Sequence, residues 1–315
     1  MNRLSYRILL ISGMIASLLG AEPGAKAKAQ TAPGAGVPII SLGIVSQKPT
    51  HKIEEHRDFV NYLARKLSSV PDANGVVVVT PTALELAKLL GEKKVDFYME
   101  SPYPTFVINK QIGARILLRR WKGGVSEYRG IIFARRDSGV ARLDDLLGKM
   151  MAFEDPGSTS GYFLPKVFLF QRGFKLTEKP SFEAKVSGKE IGYLFARGSE
   201  KNLRNWVLTR KVAAAAFSDS DFAKFDEKAK EEIAILAETP MFPRHLLSVR
   251  KDLDPVIADR LKNILLSMHQ DEEGQKVLKR ADQTTKFDEL PGGEETFRRR
   301  FREVFSPQRL AKAYP

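Results

Sequence analysis

The stretch Glu154-Asp155-Pro156-Gly157-Ser158-Thr159-Ser160-Gly161-Tyr162 constrains this chain more than any other. It separates a short apolar run, 150–153, from Phe163, Leu164, Val167, Phe168 and Phe170, which are spaced as on a helix. Asp-Pro-Gly is turn chemistry. Three hydroxyl residues follow where the helix starts, beside unpaired backbone N–H groups and the positive end of the helix dipole. Ser and Thr are favoured as plain N-caps, but a cap needs only one hydroxyl. Three in a row, closed by glycine, predict an oxyanion pocket built mostly without charged side chains.

A strand–turn–helix of this kind belongs in an α/β protein. Residues 38–45, 76–80, 95–98, 115–119 and 128–135 read as strands, with helices at 54–67, 82–90 and 102–113. Thr82 with Glu85 makes a capping box. The alternation predicts an open α/β sheet, mainly parallel, and such sheets bind ligands at the carboxyl ends of their strands. A second unit starts with a short helix at 143–149, ending in glycine. Its expected strands are 150–153, 182–186, 212–217 and 233–237, with a helix at 190–198. A strand at 246–249 and a helix at 255–268 follow.

The first 29 residues read as a secretory signal peptide. Arg3 and Arg7 precede an apolar run from Ile8 to Gly20, and small residues alternate through Ala25, Ala27 and Ala29. That apolar run is short for a membrane span. The net charge is +13, and the leader's four basic residues against Glu22 leave about +10 on the rest. A basic balance fits nucleic acid, a membrane surface or a small anion; export argues against nucleic acid. The chain has no cysteine, so it has neither a disulfide nor a lipid-attachment thiol, and it is large enough to fold without bridges. A freely diffusing periplasmic monomer is expected. Arg298, Arg299, Arg300 and Arg302, with Glu294, Glu295 and Glu303 close by, read as a solvated helix face.

Asp155-Pro156-Gly157-Ser158-Thr159-Ser160-Gly161 resembles the Asp-Pro-x-Ser-Thr-Ser-Gly motif of periplasmic phosphate/phosphite/phosphonate-binding proteins of ABC importers. Gly43-Ile44-Val45, Val95-Asp96-Phe97-Tyr98 with Ser101-Pro102-Tyr103, and Leu143 to Lys149 resemble other parts of that family in order and spacing. Thr239-Pro240-Met241-Phe242-Pro243 resembles its return to the first domain. The resemblance implies a two-lobed type II periplasmic binding protein with a ligand cleft. Lobe 1 is then 38–130 plus 240–315, and lobe 2 is 131–239. It also implies that Ser158, Thr159 and Ser160 hold the oxyanion, and that the partners are a small anionic ligand and an ABC permease. Three positions depart from the family. Glu100 and Ser101 stand where an aromatic hydroxyl is common, Lys189 where a histidine is, and Arg244-His245 where aminophosphonate binders carry an acid. The last change favours a more anionic ligand.

Each further candidate has a plainer alternative. Lys189 contacts the oxyanion or lies on the surface. Glu100 accepts a proton from the ligand or caps the helix after Pro102, leaving Ser101 as the better direct ligand. Tyr103 binds or packs. Asp219 and Asp221 face the ligand or cap the helix near Phe222. His245 joins the site; His51 and His56 flank the first helix at the surface, Trp121 lies on a loop at the cleft rim, and Trp206 packs. The histidine spacings fit no zinc motif, so no metal or cofactor is expected. Without a Gly-x-Ser-x-Gly elbow, a cysteine nucleophile or a phosphate-loop lysine, an enzyme is not expected. The expected function is capture of phosphate, phosphite or a phosphonate for import. A receptor feeding a membrane kinase, or one for a sulfonate or carboxylate, is the alternative.

Overall fold

The computed structural model describes residues 28–30, 39–68, 70–196 and 200–305. The expected signal peptide therefore lies outside the described residues up to 27, as does most of the leader that follows it.

Two sheets form two lobes. The first has seven strands in the spatial order Lys28–Gln30, Gly75–Thr80, Ile40–Val45, Phe97–Glu100, His245–Val249, Arg115–Lys122 and Thr284–Asp288. Only three of them, Gly75–Thr80, Ile40–Val45 and Phe97–Glu100, run parallel. His245–Val249 is antiparallel to both of its neighbours, so this half is mixed rather than mainly parallel. The second sheet has six strands in the order Ile233–Glu238, Gly130–Arg135, Ala214–Ser218, Met150–Phe153, Ile191–Phe195 and Leu176–Glu178. Its last four are mutually parallel. The two connections between the sheets lie side by side, Glu127–Tyr128 pairing antiparallel with Phe242–Pro243.

Helices pack on these sheets by their apolar stripes. Pro49–Ser68 buries Phe59, Val60, Leu63 and Ala64 against the first sheet. Thr82 caps Ala83–Gly91 by accepting from the Glu85 N–H at 3.2 Å, as its spacing predicts. The stretch expected to be a strand at 182–186 is irregular, and the one expected to be helical at 190–198 holds the strand Ile191–Phe195. Buried β-strand and short apolar helix share a signature when glycine and aromatics mix, as in Ile-Gly-Tyr-Leu-Phe. Helices Glu200–Leu208 and Glu272–Arg280 and strand Thr284–Asp288 are not among the expected elements; all three are short and mostly polar or charged, with few apolar residues to mark them. Trp121 lies within strand Arg115–Lys122, not on a loop. His56 is 2% exposed and belongs to the interior, a correction to its expected surface position; His51 is exposed. Trp206 packs edge-on against Phe182. Arg298 and Arg302 pair with Glu294 and Glu295 on their own helix.

Candidate anion-binding site

The hydroxyl turn is a π-helical turn, Thr159–Phe163, running directly into the helix Leu164–Gln171. Pro165 explains the widened turn. Lacking an N–H, it cannot bond to the Gly161 carbonyl one α-helical turn back. That carbonyl accepts instead from the Glu154 N–H at 3.1 Å, which folds the preceding loop over the turn. The Phe163 N–H reaches back to the Ser158 carbonyl at 3.0 Å. A Cβ on Gly161 would stand 2.7 Å from Glu154 Cβ, an atom fixed to the backbone, so glycine suits this fold-over.

The three hydroxyls have three different tasks. Ser158 is the cap: its Oγ accepts from the Gly161 N–H at 2.9 Å and donates to Glu154 Oε2 at 2.7 Å. Thr159, 1% exposed, reaches the other lobe, donating to Ser101 Oγ at 2.9 Å and accepting from the Tyr103 N–H at 2.9 Å. Ser160 is buried beside the phenol of Tyr128, on the connection between the lobes. Burial pushes that phenol up to about 12, while Arg244 and the Thr159 and Ser160 hydroxyls pull the other way. Tyr128 was not a candidate, because a tyrosine at a strand start carries no signal of its own.

The first lobe contributes the ends of its strands. Glu100, Arg120, Lys122 and His245 lie at one edge, since Leu246 pairs with Glu100 and His245 with Arg120. Glu100 does not cap the helix Pro102–Ile112. Its buried Oε1 accepts the Val45 N–H at 2.6 Å, and burial raises its carboxyl to about 7, against the pull of that N–H and of Lys52, Arg120 and Lys122. Ser101 is the N-cap residue of that helix, without a side-chain cap bond. The Tyr103 ring stacks on Phe163 at 4.2 Å, which is the packing alternative. Arg244 lies over the Tyr128 ring at 5.2 Å, and its Nε and Nη1 are buried without a hydrogen-bond partner. His245 Nδ1 is in the same condition. Burial, Arg120 and Lys122 hold the His245 imidazole well below its usual range, so it is neutral.

Lys52, Arg120 and Lys122 converge on Asp282 Oδ2 at 3.8, 3.3 and 2.7 Å. Burial alone would raise this carboxyl; Arg120, Lys122 and Lys52 overcome it and hold it well below the usual carboxylate range. Asp282 and Gln283 have φ of +54° and +53°, a left-handed turn that non-glycine residues seldom adopt. The Arg120 guanidinium ties that turn down through Thr284 Oγ1 at 2.7 Å and the Ala281 carbonyl at 3.0 Å.

Three candidates fall elsewhere. Lys189 precedes Ile191–Phe195, which runs parallel to Met150–Phe153 with Gly192 opposite Met150. It is exposed at the end of the sheet opposite the hydroxyl turn, a correction to its expected place beside the oxyanion. Asp219 belongs to the connection between lobes: its Oδ1 accepts from Arg129 N at 3.3 Å, and Asp219 N donates to the Arg129 carbonyl at 3.0 Å. Asp221 instead closes the cap of its own helix, accepting from Ser218 Oγ at 2.6 Å. Among the described residues no group of three or more His, Asp or Glu is arranged to hold a metal, and no helix is long and apolar enough to cross a membrane.

Comparison with known proteins identifies the family and the fold. The model of the family described as ABC transporter, phosphonate, periplasmic substrate-binding protein matches residues 42–291. The phosphonates-binding periplasmic protein of Escherichia coli is 23% identical over 164 residues, 50% of this chain and 45% of that protein. The phosphate-import protein PhnD of Mycolicibacterium smegmatis is 25% identical over 45% of this chain and 44% of that protein. The chain thus spans about half the length of these curated relatives. Among solved structures, XAC2383 from Xanthomonas citri, bound to ATP, has a TM-score of 0.78 and 27% identity, covering 89% of this chain and 100% of that one. PhnD1 from Prochlorococcus marinus, in complex with methylphosphonate, has a TM-score of 0.61 and 16% identity, covering 87% and 98%, and shares the fold.

Proposed function

The chain belongs to the family of periplasmic phosphonate substrate-binding proteins of ABC transporters, and from that premise we propose that it is an extracytoplasmic receptor that closes on a phosphorus oxyanion and delivers it to an ABC permease. The observation that carries the reading is the Thr159–Ser101 bond between lobes, set beside the partnerless nitrogens of Arg244. In this reading the backbone N–H groups of the turn, the Ser160 hydroxyl and the Arg244 guanidinium hold the oxyanion. Charge-assisted bonds to amides and a guanidinium are the strong kind. Closure brings the second lobe's turn onto the first lobe's strand ends, as hinge receptors do.

The same reading assigns 38–130 plus 240–315 to lobe 1 and 131–239 to lobe 2. In this reading the first 29 residues act as an export signal, whose removal takes Lys28 and Ala29 out of the edge strand Lys28–Gln30, and the receptor works as a monomer. A nucleotide phosphate chain is a second reading, supported by the ATP bound to XAC2383. Thermal shift against phosphate, phosphite, methylphosphonate and ATP tests both, because a ligand that binds only the folded state raises the melting temperature by mass action. A rise with any phosphorus oxyanion supports the receptor; a rise with ATP alone favours the second reading.

A further inference from the structure

Among the described residues Lys122 pairs with one acid, Asp282 at 2.7 Å, and an ammonium has three donors. It stands at the end of the strand Arg115–Lys122, next to the start of His245–Val249, where Arg244 lies. The Arg244 charge reaches Lys122 and adds to the burial that lowers its ammonium. Two cations thus repel each other at one corner of the cleft, with Asp282 as the nearest compensating acid, already shared with Arg120 and Lys52. Like charges held together in a partly desolvated place are costly unless an anion joins them. Arg244 also faces the other way, over Tyr128 and toward Ser160.

From this geometry we propose that the corner formed by Lys122 and Arg244 is a subsite for a second anionic group, so that the receptor prefers a phosphonate or phosphate carrying a further carboxylate or phosphoryl group. The inference rests on the receptor reading above and narrows its ligand class. One phosphoryl group sits on the hydroxyl turn, Arg244 bridges, and the second anion takes the donors of Lys122. Asp282 sets the charge of the corner: with it ionised and Glu55 paired to Lys52 at 2.6 Å, the cations Lys52, Arg120, Lys122 and Arg244 retain a positive excess that a further negative group reduces. Ligands with an amine at that end are rejected, since the corner offers a cation a repulsive field.

Calorimetric titration of the full protein with methylphosphonate, phosphonoacetate and pyrophosphate tests it. The two doubly anionic probes are expected to bind at least about tenfold more tightly than methylphosphonate, the ordinary yield of a charge-assisted contact. Lys122→Met lowers that ratio toward one, Lys122→Arg preserves it, and Asp282→Asn raises it. Equal affinity for all three probes, with methylphosphonate still bound, overturns the subsite and leaves the receptor reading intact. Binding of none of the three overturns the subsite, and failure of phosphate and phosphite as well overturns both. If Lys122→Met fails to fold, the Asp282→Asn ratio decides: an unchanged or lower ratio in that variant contradicts the proposal.

Discussion

The hydroxyl of Thr159 donates to Ser101 Oγ across the two lobes at 2.9 Å, and the same oxygen accepts the Tyr103 N–H. One side chain from the hydroxyl turn therefore holds the start of the helix Pro102–Ile112. The bond exists only when the lobes are together. It links closure to the exact residue that the motif supplies.

Thr159→Val keeps the shape and removes this link. The variant is expected to bind its oxyanion more weakly by about 1–3 kcal/mol, roughly five- to 150-fold. The melting temperature of the ligand-free protein should move little, because an open receptor does not make the bond. Calorimetry and a melting curve on the same sample check both halves. A large fall in melting temperature with unchanged affinity would assign Thr159 to the fold alone.

Gly130 opens the strand that crosses into the second lobe, and a Cβ there would stand 2.5 Å from the Ser160 carbonyl oxygen and 2.9 Å from Pro165. Backbone cannot yield as a flexible side chain does. Gly130→Ala is expected to cost about 1–3 kcal/mol of stability through overpacking and to displace the turn, so that affinity falls as well. Denaturant unfolding and calorimetry read the two effects. Wild-type affinity in a stably folded Gly130→Ala protein would show that the turn does not need this close approach.

Glu100 predicts a pH dependence. Burial raises its carboxyl to about 7, above the ordinary carboxylate value. A raised value means that the neutral form is favoured in the fold. Its contribution to stability is complete below the unfolded value and is lost as pH rises through about 7. Ionisation also adds a negative charge close to Lys52, Arg120 and Lys122, which weakens their field. Oxyanion affinity relative to Glu100→Gln is therefore expected to fall several-fold from pH 6 to pH 8, the wild-type-to-variant ratio cancelling the titration of the ligand itself. A ratio that stays level across that range would rule out ionisation of Glu100 near neutrality.

Lys189→Ala should leave affinity unchanged at low and at high salt, since the side chain is exposed at the far end of its sheet. Weaker binding at low salt alone would place the lysine within electrostatic reach of the ligand.

Much of this was legible in the sequence, for reasons that differ from element to element. The valine run of Gly75–Thr80 and the capped helix after Thr82 carry strong local signals. The hydroxyl motif declares itself because three adjacent polar residues beside an apolar run need a purpose. What stayed hidden depends on long-range placement. Lys189 was assigned by its position after Ser187-Gly188, yet strand direction sends it to the wrong end of the sheet. Tyr128 and Asp282 reach the site only because two strands meet there, over sequence separations that no local pattern reports. His56 looks like a surface residue until the fold buries it beside Arg120 and Lys52, whose charges add to burial in lowering its imidazole to about 3.

The most direct test of the account is calorimetric titration of the ligand-free protein with phosphate, phosphite and methylphosphonate, with sulfate and acetate as controls. The account predicts saturable one-site binding of at least one phosphorus oxyanion, of micromolar order or tighter, lost or sharply weakened in Arg244→Ala. Failure of every phosphorus oxyanion to bind at millimolar concentration, or binding that Arg244→Ala leaves untouched, would contradict it.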